Sequence, residues 1–540
     1  MNAFKRKSLY TAVVAGLGAL GASQAGAVNL STDGTGQVLL YPYYTVRSGM
    51  ITSITVVNTN TTRTKVSKVR FLEGKNSAEV LDFNLWLSPR DVWTGSIVDT
   101  ATGAGVYSVD NSCTAPYVNA RATPPVTATA PAPFVNYYYT GQVQNTYYDN
   151  GGTTLDRTRE GYVEIIEMAN VADTLGFGAL STATGNTLAA AVKHAGTGIP
   201  ANCAVVNVNT VFAAPDMLPP TGGLMGEYII ISAATGTEFA SNPVALQNFQ
   251  GPGTQLYSIP GNLAPQLSAV NPDRSDVIRV TGAGSPVVTT VASWTVAGGA
   301  PIDAVSAILM RSSIMNEFDV STNFKTDIVV TQPTKRFYVP AGTAALSAAD
   351  PTPAIGPYAN TFASATADAA KSCDTIFPQA YDREEAPYTT QAGVVFSPVP
   401  VGQGPGLGSL CWESTVMTVV PGTAGAALAT SQVFKSANSA SLTLPSSGSS
   451  SNYATGWAAL WPTSLAATSA TGNHPGQFVS GGGAGALNVA NTANGGLRDI
   501  AAGGLRYRGL PAIGFAATQA ILGGQGYGGI FDNKYSINIQ

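Results

Sequence analysis

The segment LDFNLWL, residues 81–87, puts Leu81, Phe83, Leu85 and Leu87 at alternate positions. Successive side chains of a strand point to opposite faces, so this spacing predicts a half-buried β-strand. Gly74-Lys75-Asn76 before it and Ser88-Pro89-Arg90-Asp91 after it supply turn chemistry. Upstream of the first turn, Val66–Glu73 (VSKVRFLE) alternates with Val69 and Phe71 on one face, and beyond the second, Val92–Val98 reads as the next strand. Still earlier, the β-formers of Gln37–Val46 (QVLLYPYYTV) and Met50–Val57 (MITSITVV) flank a Ser-Gly turn, and Asn58–Thr62 is a polar turn. Five or six short strands at this spacing predict an immunoglobulin-like β-sandwich at the N-terminus of an all-β chain.

The remainder reads as more strand than helix. Residues 121–134 (RATPPVTATAPAPF) form a Pro-, Ala- and Thr-rich linker. Tyr137–Tyr148 and Thr154–Met168 flank Asp149-Asn150-Gly151-Gly152, a hairpin signal because Asn and Gly accept the positive φ of primed turns. A short helix is expected within Asn186–Ala195, and strands at Tyr228–Ser232, Val277–Val280, Val287–Val296, Asp327–Thr331 and Arg336–Val339. Residues 341–371 read as a long surface loop. After Gly402 the chain is dominated by Gly, Ala and Ser, as in Ser446–Ser451 and Gly481–Gly485, and Tyr535, Ile537 and Ile539 close it as a strand. The expected organisation is a leader at 1–27, a sandwich at 28–120, a β-rich region at 121–340 and a Gly/Ala/Ser-rich β region at 341–540. No repeat of fixed period points to a solenoid or propeller.

Lys5, Arg6 and Lys7, the apolar run Leu9–Leu20 and Ala25-Gly26-Ala27 have the charge, core and small-residue pattern of a cleavable signal peptide. The apolar run falls short of the roughly 20 residues of a spanning helix. An exported chain, at the cell surface or beyond it rather than in the periplasm, is the expectation. Four cysteines, Cys113, Cys203, Cys373 and Cys411, allow three disulfide connectivities. The pairing favoured is the one that stays within each half, Cys113 with Cys203 and Cys373 with Cys411. Charged residues make up 11% of the chain, well under the ~25% usual in soluble domains. The formal charge of −4 becomes more negative once the three leader cations are removed, which argues against nucleic acid and anionic membranes as partners.

Catalytic chemistry finds little support. The two histidines, His194 and His474, stand alone, and no GxSxG elbow accompanies them. Glu164 and Glu167, in EGYVEIIEM (160–168), have the residue types of a glycosidase pair, but odd spacing sends them to opposite faces of a strand, where solvated charges are the expectation. Asp382-Arg383-Glu384-Glu385 reads as a charged loop. Gly524, Gly526 and Gly529 match a dinucleotide fingerprint by letter, yet a strand follows where a helix is needed. Asn271–Asp276 has oxygen ligands suited to calcium but reads better as a turn. No cofactor or metal is expected. The binding hint is aromatic: Tyr41, Tyr43 and Tyr44, and Tyr137, Tyr138 and Tyr139 near Tyr147 and Tyr148, of which Tyr137–Tyr139 are the candidate glycan or partner contacts.

Several stretches resemble a family of exported proteobacterial cell-surface proteins: GQVLLYPYYTV (36–46), KVRFLEGKNSAEVLDFNLWLSPRDVWT (68–94), EGYVEIIEMA (160–169), PTKRFYV (333–339), GLPAIGFA (509–516) and GGIFDNKYS (528–536). The resemblance implies surface location and no catalytic residue set. The expected function is a structural or adhesive surface protein, partnered by itself, by other surface components or by polysaccharide. The alternatives are a carbohydrate-binding module and an outer-membrane β-barrel.

Overall fold

The structure is a computed structural model that describes residues 27–118, 130–140, 149, 151–171, 187–206, 217–271, 274–280, 287–293, 301–339, 358, 371–383, 387–389, 408–421, 430–444, 454–462 and 507–539. The leader up to residue 26, most of the linker, the stretch from 341 to 357, His474 and the runs Ser446–Ser451 and Gly481–Gly485 lie outside the described residues.

The chain is mainly β, with sandwich-type packing. In a ten-stranded sheet, Val38–Thr45, Glu160–Val171, Thr64–Glu73 and Glu79–Leu87 lie side by side in that order. A six-stranded sheet has Met50–Asn58 between Leu224–Ser232 and Val92–Asp99. Register explains how the two meet. Ile165 lies opposite Val69 and Val69 opposite Phe83, a cross-strand row that joins Ile54, Val56, Trp93 and Ile97 of the smaller sheet in one core. Met50–Asn58 follows its sequence alternation, burying every second residue from Met50.

Thr64–Glu73 departs from expectation, because it is buried on both faces. The irregular chain around Ser258–Asn262 lies across the second face: Lys68 Nζ donates to the carbonyls of Ile259 (3.2 Å) and Asn262 (2.9 Å), and Asn84 Nδ2 to Ser258 (2.8 Å). On the same side Val38, Leu40 and Ile166 join the core around the helix Pro301–Leu309. Glu164 and Glu167, expected as solvated charges, are fully buried. They do point to opposite faces, and each has a cation. Glu164 accepts from Arg70 Nη1 at 2.6 Å and Glu167 from Lys65 Nζ at 2.7 Å, while Arg70 Nε reaches Glu79 at 2.6 Å. A charge withdrawn from water is tolerated only with such a partner.

In the C-terminal half, Phe324–Thr331 runs between Ser414–Pro421 and Ile513–Leu522 in a five-stranded sheet. Thr455–Pro462 runs between Ser313–Asp319 and Asp374–Asp382 in a second six-stranded sheet. Ile328, Val330, Met417 and Val419 share a core with Ile314, Phe318, Ile376 and Leu460. The other face of the five-stranded sheet (Val329, Val416, Phe515) packs into the first core with Tyr41, Tyr43 and Tyr228, so the two halves are fused. Backbone bonds tie them as well, from Glu413 N to Lys75 O (2.9 Å) and Ser414 N to Gly74 O (2.8 Å).

The disulfides are Cys113–Cys203 and Cys373–Cys411, the favoured pairing, and they fit an oxidising, exported environment. A helix forms at Leu188–Val192, inside the expected stretch, capped by the Thr187 hydroxyl. Gly523 and Gly524, both at positive φ, close a tight hairpin between Ile513–Leu522 and Gln525–Asp532, where the rejected fingerprint begins. Lys534–Ser536 pairs with Ser313–Met315, anchoring the tail in a sheet as expected.

Three expectations are corrected. Arg336–Val339 is no strand: Pro333 precedes a 3-10 turn at Lys335–Phe337, which carries Lys335 inward to Asp374 (2.7 Å) and the Trp412 carbonyl (3.0 Å). Residues 141–148 and Asn150 of the hairpin about Asp149 lie outside the described residues, and the described parts of its two arms are not strands paired with each other. Tyr137–Thr140 is a turn, and Leu155–Arg159 is a 3-10 helix that turns Arg157 inward onto Asp149 and Glu73. Finally, every described sheet is an open path with two edges, so the barrel alternative does not hold among the described residues. No helix among them is long and apolar enough to cross a membrane.

Candidate functional site

The strands of the second six-stranded sheet end together at Asp319, Thr455 and Asp382, and a cleft of about 710 Å³ opens there. Its walls come from both C-terminal sheets. Glu317, Trp457 and Tyr381 stand in one cross-strand row, and Phe531 and Thr518 face them from the five-stranded sheet. The Trp457 and Tyr381 rings stack with centroids 4.5 Å apart and planes 14° from parallel. Trp457 keeps 39% of its surface exposed and Phe531 59%, whereas Phe318 is buried among the lining residues. Large aromatics left in water at the rim of a concavity offer apolar faces to a ligand.

Gly456 gives the cleft part of its depth. A Cβ there would meet the Tyr381 carbonyl oxygen at 1.9 Å, so only glycine fits between the paired strands, and no side chain fills the space beside Trp457. Polar groups ring the aromatics. Glu317 and Arg383 are exposed, Asp319 is half-buried, and Asp382 is buried at the end of its strand. Asp319 Oδ1 accepts from the Ser321 backbone N (2.9 Å) and hydroxyl (2.6 Å), which fixes the carboxylate at the rim. The arrangement can grip a polyhydroxylated ring, with apolar faces against its C–H surface and carboxylates and a guanidinium around its hydroxyls.

Asp382 and Arg383, read from sequence as part of a loop, thus line the cleft, whereas Glu384 and Glu385 lie outside the described residues. The aromatics singled out from sequence mostly do not reach solvent. Tyr41, Tyr43 and Tyr44 are buried, and their rings meet Tyr228, Phe434 and Phe71. Of Tyr137–Tyr139, Tyr137 is 48% exposed and Tyr138 is partly buried. Tyr139 is buried beneath Arg157 and donates to the Thr154 carbonyl at 3.1 Å. Tyr147 and Tyr148 lie outside the described residues. The available signal for the cleft was in GWAALW (456–461), where Trp457 and Trp461, four apart on a strand, share one face.

His194 Nδ1 lies 3.2 Å from Asp91 Oδ1, and among the described residues its Nε2 meets no hydrogen-bonding partner. Among the described residues no group of three His, Cys, Asp or Glu side chains is placed to hold a metal ion. No family model, curated protein or solved structure matches the chain.

Proposed function

We propose that this chain is an exported, non-catalytic adhesive protein of the cell surface, and that it holds a polysaccharide in the cleft at Trp457. The stacked Tyr381–Trp457 pair carries the proposal, because an indole held rigid on a β-sheet and left in water is a ready platform for a sugar ring. The leader pattern, the two disulfides and the low charge support export and a surface role. The concave, ligand-sized site favours adhesion over a purely structural coat, which calls for flat, extended contacts.

The test is retention of the mature protein on neutral polysaccharide gels, with Trp457→Ala beside Tyr137→Ala. Trp457→Ala should lower affinity at least tenfold with an unchanged circular-dichroism spectrum, while Tyr137→Ala binds normally. Retention undiminished by Trp457→Ala, or lost only with Tyr137→Ala, would remove the cleft from the account.

A further inference from the structure

A second cavity, of about 260 Å³, lies where the two halves join, lined by Lys75 and Gly151 from one half and by Lys371, Trp412, Thr415, Asn438 and Ser439 from the other. Its character is opposite to that of the Trp457 cleft. Two ammonium groups and several neutral polar side chains line it, and among the described residues no carboxylate does. Lys75 is half-buried on the Gly74–Asn76 turn. Its Nζ donates to the Gly151 carbonyl at 2.5 Å and stands 5.3 Å from the centre of the Trp412 ring. Neither partner is an anion. Burial and the charge of Arg157 both push the Lys75 ammonium towards losing its proton, opposed by Glu73, Asp149 and Glu160. Trp412 holds its ring there at a backbone φ of +65°, a conformation unfavourable for so bulky a residue. Strain of this kind persists where the surroundings over-determine it, and it gathers at ligand sites.

We infer that this cavity binds a small oxyanion, a carboxylate or sulfate carried on a sugar ring, with Lys75 and Lys371 on the charge and Trp412 against the ring. Its volume suits one such ring. A bound anion supplies the countercharge that Lys75 lacks in direct contact among the described residues, and it bridges both halves, so ligand binding stabilises the fused fold.

The experiment is calorimetric titration and thermal unfolding of the mature protein with sodium sulfate, glucuronate and glucose, at constant ionic strength set with chloride. Glucuronate is expected to bind and raise the Tm, sulfate to bind more weakly, and glucose not to bind here. Lys75→Met and Lys371→Met should each weaken glucuronate binding tenfold or more. Trp412→Leu should weaken glucuronate but not sulfate. Lys75→Arg, which keeps the charge, shows whether a failing Met variant has merely lost its fold. No saturable glucuronate or sulfate binding to the wild-type protein, or binding unchanged in both Met variants, overturns the inference. Binding of sulfate with no preference for glucuronate identifies an adventitious ion only and removes the sugar ring from it.

Discussion

Replacing Arg70 with leucine tests the most unusual feature of the fold, its buried charges. Arg70 is completely buried between Glu79 and Glu164, at 2.6 Å from each, and the two carboxylates are 4% and 0% exposed. Removing the cation while leaving two carboxylates in the interior should cost roughly 3–5 kcal/mol at pH 7, the range for breaking a buried ion pair from one side. Burial already pushes Glu79 above the usual carboxylate range against the pull of Arg70, and losing Arg70 pushes it further. A carboxyl raised on folding stabilises the native state while protonated, and that contribution fades as pH rises through the folded value. The variant should therefore regain part of its deficit, relative to wild type, as pH falls from about 7 to about 5. Urea midpoints from circular dichroism at both pH values measure this. The triple change Arg70→Leu, Glu79→Leu, Glu164→Leu should recover most of the loss, since an apolar trio strands no charge. A single-variant loss below about 1 kcal/mol, the worth of a solvated pair, would refute the claim that this face is dry.

Three further outcomes follow from other contacts. Cys113→Ser and Cys373→Ser, which open links across 90 and 38 residues, should each lower stability by about 4–5 kcal/mol on the loop-entropy scale, read as a fall in urea midpoint. In Gly226→Ala the new Cβ would lie 2.0 Å from Tyr41 Oη and 2.6 Å from the Thr55 carbonyl. A loss of about 1–3 kcal/mol is expected, partly relieved by adding Tyr41→Phe, and a neutral result would mean that the two sheets are less closely packed. Burial holds the Glu413 carboxyl well above its ordinary value, against the nearby Arg336 and Lys335. Its contribution is thus present at low pH and lost as pH rises through the folded value, so Glu413→Gln should flatten the alkaline side of the stability profile while leaving the acidic side near wild type.

The strands of the N-terminal half were legible because alternation survives wherever one face is covered. Met50–Asn58 and Glu79–Leu87 lie where periodicity put them. What periodicity could not convey was the cover on the second face of the large sheet. Part of it is supplied by irregular chain near residue 260, and no local pattern links that stretch to Lys68 or Asn84. The helix Pro301–Leu309 was missed for a related reason: it is buried nearly all round, and its short polar face, Asp303 and Ser306, is too brief to set its period apart from a buried strand. The disulfides were approached through compartment and proximity. The cleft was not, because its lining comes from distant segments. Tyr41, Tyr43 and Tyr44 are packing residues, which is the commoner role of aromatics on sheets.

Ala27–Leu30 has a place in the large sheet that bears on how the molecule can be assembled in time. Asn29 lies beside Gln247 on one side and Asp276 on the other, and Val28 is fully buried. Further along, the Pro42 carbonyl accepts from the Thr331 hydroxyl, 289 positions away. A ribosome or translocation pore delivers the first strand first, yet its neighbours emerge some hundreds of residues later. At synthesis rates of roughly 5–20 residues per second, that strand waits on the order of ten seconds or more, with its apolar edge uncovered. Such delay is the kinetic burden of long-range strand pairing. Truncation anywhere before residue 280 leaves the first strand without one of its two neighbours intact.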